Sequence, residues 1–127
     1  MFGRLATSLR MQHPDIPLID LAAFAAVAAA PGVTVLDFTA AWCGPCKTLA
    51  PVLAQVVAGY GGRVRAVAID VDHEQLLAQR FDVRSMPTLV LLRDGREVGR
   101  VVGSRPRAFL QGVVDRALNG DVAIASP

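Results

Sequence analysis

The sequence predicts an α/β sandwich, a mixed β-sheet with helices on both faces, on three observations. Strand-like and helix-like segments alternate along most of the chain. Segment 33–38 (Val-Thr-Val-Leu-Asp-Phe) is β-branched and apolar without strict polar alternation, as a central strand covered on both faces requires. Two later strand-like segments flank Asp94-Gly95, a turn pair that makes an antiparallel hairpin. With 127 residues the chain fits one domain that buries a core without staples. Because 53% of it is hydrophobic but only 6% aromatic, that core must be mostly Val, Leu and Ala.

The elements follow in order. Residues 1–15 read as an N-terminal extension, mobile or loosely helical over 1–13, where no partner pattern is visible. The domain then spans 16–119, and residues 120–127 form a frayed tail. Segment 16–19 is a short strand, made an edge strand by Pro17. Asp20 caps a helix over 21–30, which Pro31-Gly32 stops. After the 33–38 strand comes a long helix over 43–58, kinked by Pro51 and ended by Gly59 and Gly61-Gly62. A buried strand over 64–71 leads to a short helix over 73–80, with Asp72 as its cap. Strands 88–93 and 97–102 form the hairpin, and Pro106 opens a last helix to residue 118, stopped by Asn119-Gly120.

Charge excludes some functions. The net charge is +2 and Lys and Arg are scattered, so no nucleic-acid footprint is present. Arg93, Arg96, Arg100, Arg105 and Arg107 make the C-terminal third basic, which reads as a solvated surface rather than an anion site. Residues 18–30, preceded by Arg4 and Arg10 and ending in Ala-Ala-Ala-Pro, imitate a secretory leader. Pro14, Asp15, Pro17 and Asp20 interrupt that imitation, cleavage after Ala30 would delete a needed helix, and the stretch is too short to span a bilayer. A cytoplasmic protein without a membrane segment is expected.

The chemistry lies in Trp42-Cys43-Gly44-Pro45-Cys46-Lys47, which holds both cysteines of the chain. A lone C-x-x-C also serves as half of a zinc site. Here no second pair completes one, and His13 and His73 have no ligand spacing, so no metal is expected. Thiols three residues apart close and reopen a small disulfide ring. At a helix start, unpaired backbone N–H groups and the helix dipole favour a thiolate on Cys43. Gly44 leaves that sulfur open and Pro45 has no N–H to waste. Cys46, one turn along, should be more buried and resolve the mixed disulfide.

Other residues admit two readings each. Asp37 interrupts an interior strand: it is either a buried proton carrier with a raised pKa or a strand-end aspartate turned to water. Met86-Pro87 precedes a strand and either takes the cis form, presenting the Met86 backbone to an extended peptide, or is trans. Trp42 is a core anchor or an apolar platform beside the thiols. Lys47 either assists the thiolate or is solvated, and His73 reads as a surface residue at a helix start.

Together these residues resemble the thioredoxin family over about 16–118. The active-site motif is joined by Asp37-Phe38 before it and Pro51 after it. Asp70-Val71-Asp72, Val83-Arg84-Ser85-Met86-Pro87-Thr88-Leu89, Asp94-Gly95 and Val102-Gly103 follow in the family's order and spacing. The resemblance implies the thioredoxin fold and a protein-disulfide reductase with Cys43 as nucleophile and Cys46 as resolving thiol. It implies Asp37 as proton acceptor for Cys46 and Pro87 as a cis-proline. With Gly44 and Pro45 between the thiols, the substrate rim would comprise Trp42, Val71, Met86, Val102 and Gly103. It also implies a monomer with no bound cofactor, recharged from NADPH by a flavoprotein thioredoxin reductase and acting on disulfide-containing client proteins. Alternatives are a binding or chaperone-like module using the rim around Trp42 and Pro87, or a thiol oxidase or isomerase. Three departures bear on tuning: Thr39 stands for a frequent aromatic residue, Ala41 for a common acidic one, and Ala68 for a lysine that often pairs with the buried aspartate. Without that lysine the Asp37 pKa should rise further.

Overall fold

In the computed structural model, which describes residues 13–120, all the expected elements but the first strand appear in the expected order. The extension over 1–12 and the tail over 121–127 lie outside the described residues. Helix α1 spans Leu21–Ala29, strand β1 Val33–Thr39, helix α2 Gly44–Ala58 and strand β2 Val64–Asp70. Helix α3 spans Gln75–Arg80, strands β3 and β4 Thr88–Arg93 and Arg96–Val102, and helix α4 Arg107–Leu118. The sheet runs β2-β1-β3-β4, with β1 and β2 parallel and both other pairings antiparallel.

All seven residues of β1 are buried, which explains why its sequence lacks polar alternation. Side chains alternate between two cores. On one face, Val33, Val35, Leu89 and Leu91 pack under Leu49 and Leu53 of α2 and Leu110 and Val113 of α4. On the other, Leu36, Phe38 and Val90 meet Phe24 of α1 and Leu77 of α3. Each fully buried Leu or Phe contributes roughly 1.5–3 kcal/mol of transfer free energy. Phe24 belongs to this core, so the leader-like stretch builds the fold. No described helix is long and apolar enough to cross a membrane.

Local chemistry sets the joints. Asp20 caps α1 by accepting the Ala23 N–H at 2.8 Å. Asp94 and Gly95 both have positive φ, 51° and 82°, as a tight two-residue hairpin turn demands. Only glycine suits position 95, because a Cβ there would lie 2.3 Å from the Ala28 carbonyl oxygen. Asp94 also clamps the α1–β1 loop. Its carboxylate accepts the Gly32 N–H at 2.7 Å, and its own N–H donates to the Gly32 carbonyl at 2.9 Å.

Two expectations need correction. Segment 16–19 is not a strand but a single parallel bridge, Leu18 to Ala68. Pro17 has no N–H to extend the ladder; its carbonyl accepts from Ala68 at 2.8 Å, and Ile19 donates back to the Ala68 carbonyl at 2.9 Å. Helix α3 starts two residues later than expected, after Glu74, and Asp72 does not cap it. The Asp72 carboxylate instead accepts the Trp42 indole N–H, 30 residues away in sequence. Three of the five C-terminal arginines are engaged in the fold. Arg93 donates to the Ala117 and Leu118 carbonyls at the end of α4, Arg100 binds Glu97 and the Phe81 carbonyl, and Arg107 binds Gln55.

Candidate active site

Cys43 is the N-cap of α2, with extended backbone, and its sulfur accepts the Cys46 N–H at 3.2 Å. A sulfur here occupies the place usually held by a capping oxygen, where the unpaired N–H groups of the first turn favour negative charge. Pro45 lies in that turn, where a missing donor costs nothing. A disulfide joins Cys43 to Cys46, with Cα atoms 5.3 Å apart. The expected contrast in exposure is absent: Cys43 is 4% exposed and Cys46 2%. In the disulfide form the backbone, not burial, distinguishes them, since Cys43 precedes the helix and Cys46 sits inside its first turn. Gly44 and Pro45 are exposed, and a Cβ on Gly44 would meet nothing within 4 Å, so this side is open to a partner.

The fold gathers the expected rim at one end of the sheet. Val71, just past β2, and Met86, just before β3, pack against Ala40 and the two cysteines. The Met86-Pro87 peptide bond is cis, which decides that question. Gly103 ties β4 to the same point by donating its N–H to the Pro87 carbonyl at 2.8 Å. Its φ of +86° is one that side-chain-bearing residues rarely adopt. Val102 pairs with Thr88 in the β3–β4 register. Trp42 is 67% exposed, so it is not a core anchor. Lys47 is exposed on α2.

Asp37 is fully interior rather than turned to water. It pairs with Ala68 on one side and Leu89 on the other, both apolar, and its Oδ1 has no hydrogen-bond partner. Burial pushes its carboxyl up to about 7. The departure at Ala68 is therefore structural as well as sequential: a methyl group stands across the ladder where a cation would offset the charge. Thr39 is buried at the end of β1, and Ala41 is exposed.

Three residues matter more here than their sequence context implied. Asp72 holds the Trp42 indole N–H at 2.9 Å. Asp70, buried at the end of β2, accepts the Asp72 N–H at 2.9 Å on one oxygen and lies 2.8 Å from His73 Nδ1 with the other. Asp70 was signalled only as part of the Asp70-Val71-Asp72 motif and as a charge ending an interior strand. Nothing local pointed to His73. Among the described residues, no group of three or more His, Cys, Asp or Glu side chains is placed to hold a metal ion.

Comparison with known proteins agrees with this geometry. The thioredoxin family model matches residues 18–116. A thioredoxin of Staphylococcus aureus (strain Mu50) is 44% identical over 87 residues, covering 68% of this chain and 84% of the relative. The structure is similar to that of a mutant thioredoxin from Halobacterium salinarum, with a TM-score of 0.73 and 34% identity over 83% of this chain and 93% of that one. It is also similar to oxidised mitochondrial thioredoxin 3 of Saccharomyces cerevisiae, with a TM-score of 0.71 and 37% identity over 79% and 94% of the two chains. A binding module, an oxidase or an isomerase is not favoured by these relatives. From motif, fold and relatives alike, this chain belongs to the thioredoxin family and is a thiol-disulfide oxidoreductase.

Proposed function

We propose that the chain reduces protein disulfides, with Cys43 attacking and Cys46 resolving. The observation that carries this order is the Cys43 sulfur at the N-cap of α2, accepting the Cys46 N–H. In the reduced protein the Cys43 thiolate attacks one sulfur of a client disulfide, and the other client sulfur leaves as a thiolate. Cys46 then gives up its proton, with Asp37 as acceptor, and attacks the Cys43 sulfur of the mixed disulfide. The second client sulfur leaves, the Cys43–Cys46 disulfide closes, and two electrons have passed to the client.

Trp42, Val71, Met86, Val102 and Gly103 form the surface against which the client segment lies, beside Pro87. Two electrons must return to the pair after each cycle. The reductase route through NADPH and a flavoprotein is the family's general solution, and we assign it to this chain. We also assign the protein to the cytoplasm, a reading supported by the packing of Phe24 from the leader-like stretch in the core, and take it to act as a monomer.

Replacing Cys43 with Ser should abolish reduction of insulin disulfides followed by turbidity, and residual turnover would sink the assignment. Replacing Cys46 with Ser should trap client adducts on Cys43, visible on non-reducing gels; their absence would reverse the order of attack.

A further inference from the structure

We infer that His73 and Asp70 are positioning residues for the client-docking rim, acting on Trp42 through Asp72; this rests on the reductase reading above. The Asp70 carboxylate is buried, and both oxygens are used on the segment that follows β2. One oxygen accepts the Asp72 N–H at 2.9 Å and the other meets the His73 ring at 2.8 Å. The Asp70 carbonyl receives the His73 and Glu74 N–H groups at 3.2 and 2.8 Å. One residue at the strand end thus winds the segment into a fixed turn.

That turn carries two parts of the site. Val71 packs against the disulfide, and Asp72 projects the carboxylate that accepts the Trp42 indole N–H at 2.9 Å. Trp42 is 67% exposed, so little packing holds its ring, and this hydrogen bond is the polar contact that orients it beside Cys43. His73 faces water on its far side, with its side chain 56% exposed. It is the group that closes the second Asp70 oxygen. Losing it leaves a buried carboxylate oxygen to find another partner, and the adjoining turn loosens. The effect should appear where the indole matters, in docking an extended protein segment, and not in the thiol chemistry.

The test compares two substrates without a reductase: insulin, turned over with dithiothreitol, and a small aromatic disulfide, added to pre-reduced protein freed of dithiothreitol, which would reduce that disulfide directly. His73→Ala should lower kcat/KM for insulin roughly two- to fivefold, the cost of about one hydrogen bond, and leave the rate with a small aromatic disulfide unchanged. Trp42 is the only tryptophan of the chain, so its fluorescence reports on this ring alone, and His73→Ala should lower its anisotropy. His73→Asn should restore both readouts, because Asn Nδ2 stands as many bonds from Cα as His Nδ1. In an Asp72→Ala background, adding His73→Ala should cost nothing further on insulin, since the route to Trp42 is already cut. Equal loss on both substrates, no loss on insulin, or additive losses in the double variant would overturn the proposal. A wild-type protein that fails to reduce insulin would instead overturn the reductase reading itself.

Discussion

At the residue scale, the interior carboxyl of Asp37 carries an electrostatic cost, and that cost has a sign. Burial raises its carboxyl from 3.8 to about 7. Between those values the folded protein holds a proton that the unfolded chain has released, so stability falls as pH rises through this window and levels off above about 7. The full penalty is on the order of 4 kcal/mol above the window and less than half of that at pH 5. Asp37→Asn should therefore raise the urea midpoint more at pH 8 than at pH 5, by about 2–3 kcal/mol in unfolding free energy. An equal gain at both pH values would contradict an interior, proton-holding carboxyl. With Asp37 as the proposed acceptor of the Cys46 proton, the same group should set the pH profile of resolution. Below pH 7 it is increasingly protonated and cannot accept the Cys46 proton, so release of the client from the mixed disulfide by Cys46 should slow as pH falls. Asp37→Asn should slow that release roughly ten- to hundredfold at pH 8 and flatten the profile. Ala68→Lys, opposite Asp37 in the ladder, should draw the carboxyl back toward the ordinary range, as a carbon-13 titration of the carboxyl would reveal.

At the element scale, local signals were legible where neighbours in sequence decide the outcome. Asp20 capping α1 and the Asp94-Gly95 turn both act within a few residues, and both were readable. Illegible features depended on distant partners. Asp72 has the composition of a cap, yet the indole at position 42 takes its carboxylate, and α3 starts without a side-chain cap. Segment 16–19 has strand-like residues, but it meets only the outer side of β2 at one bridge. The disulfide likewise buries both thiols alike, a consequence of the packed Val71 and Met86 that no spacing rule contains. The hairpin permits a direct check. Gly95→Ala forces a Cβ at positive φ toward the Ala28 carbonyl and should destabilise by about 2 kcal/mol or more in urea unfolding. Specific activity of the folded fraction should survive, because this turn lies at the end of β3 opposite Pro87.

At the scale of the whole molecule, redox state and folding are one linked equilibrium. The Cys43–Cys46 ring constrains the unfolded chain, and its closure should stabilise the oxidised protein over the reduced one by on the order of 2 kcal/mol. Urea unfolding with and without dithiothreitol measures that difference, and no shift in midpoint would deny the linkage. Whatever stabilisation oxidation confers on the fold, folding confers on the disulfide, so the native chain holds its pair oxidised more firmly than a denatured chain does. The reciprocal Gly32–Asp94 clamp has a corresponding effect at the other end of the sheet. It joins the loop before β1 to the β3–β4 hairpin by two bonds across 62 residues. Deuterium uptake at the Asp94 amide should accordingly be slow for an exposed turn, because its N–H is held by the Gly32 carbonyl. The sheet is thus tied by side-chain carboxylates at both ends, by Asp94 at one and by Asp70 at the end that carries the thiols.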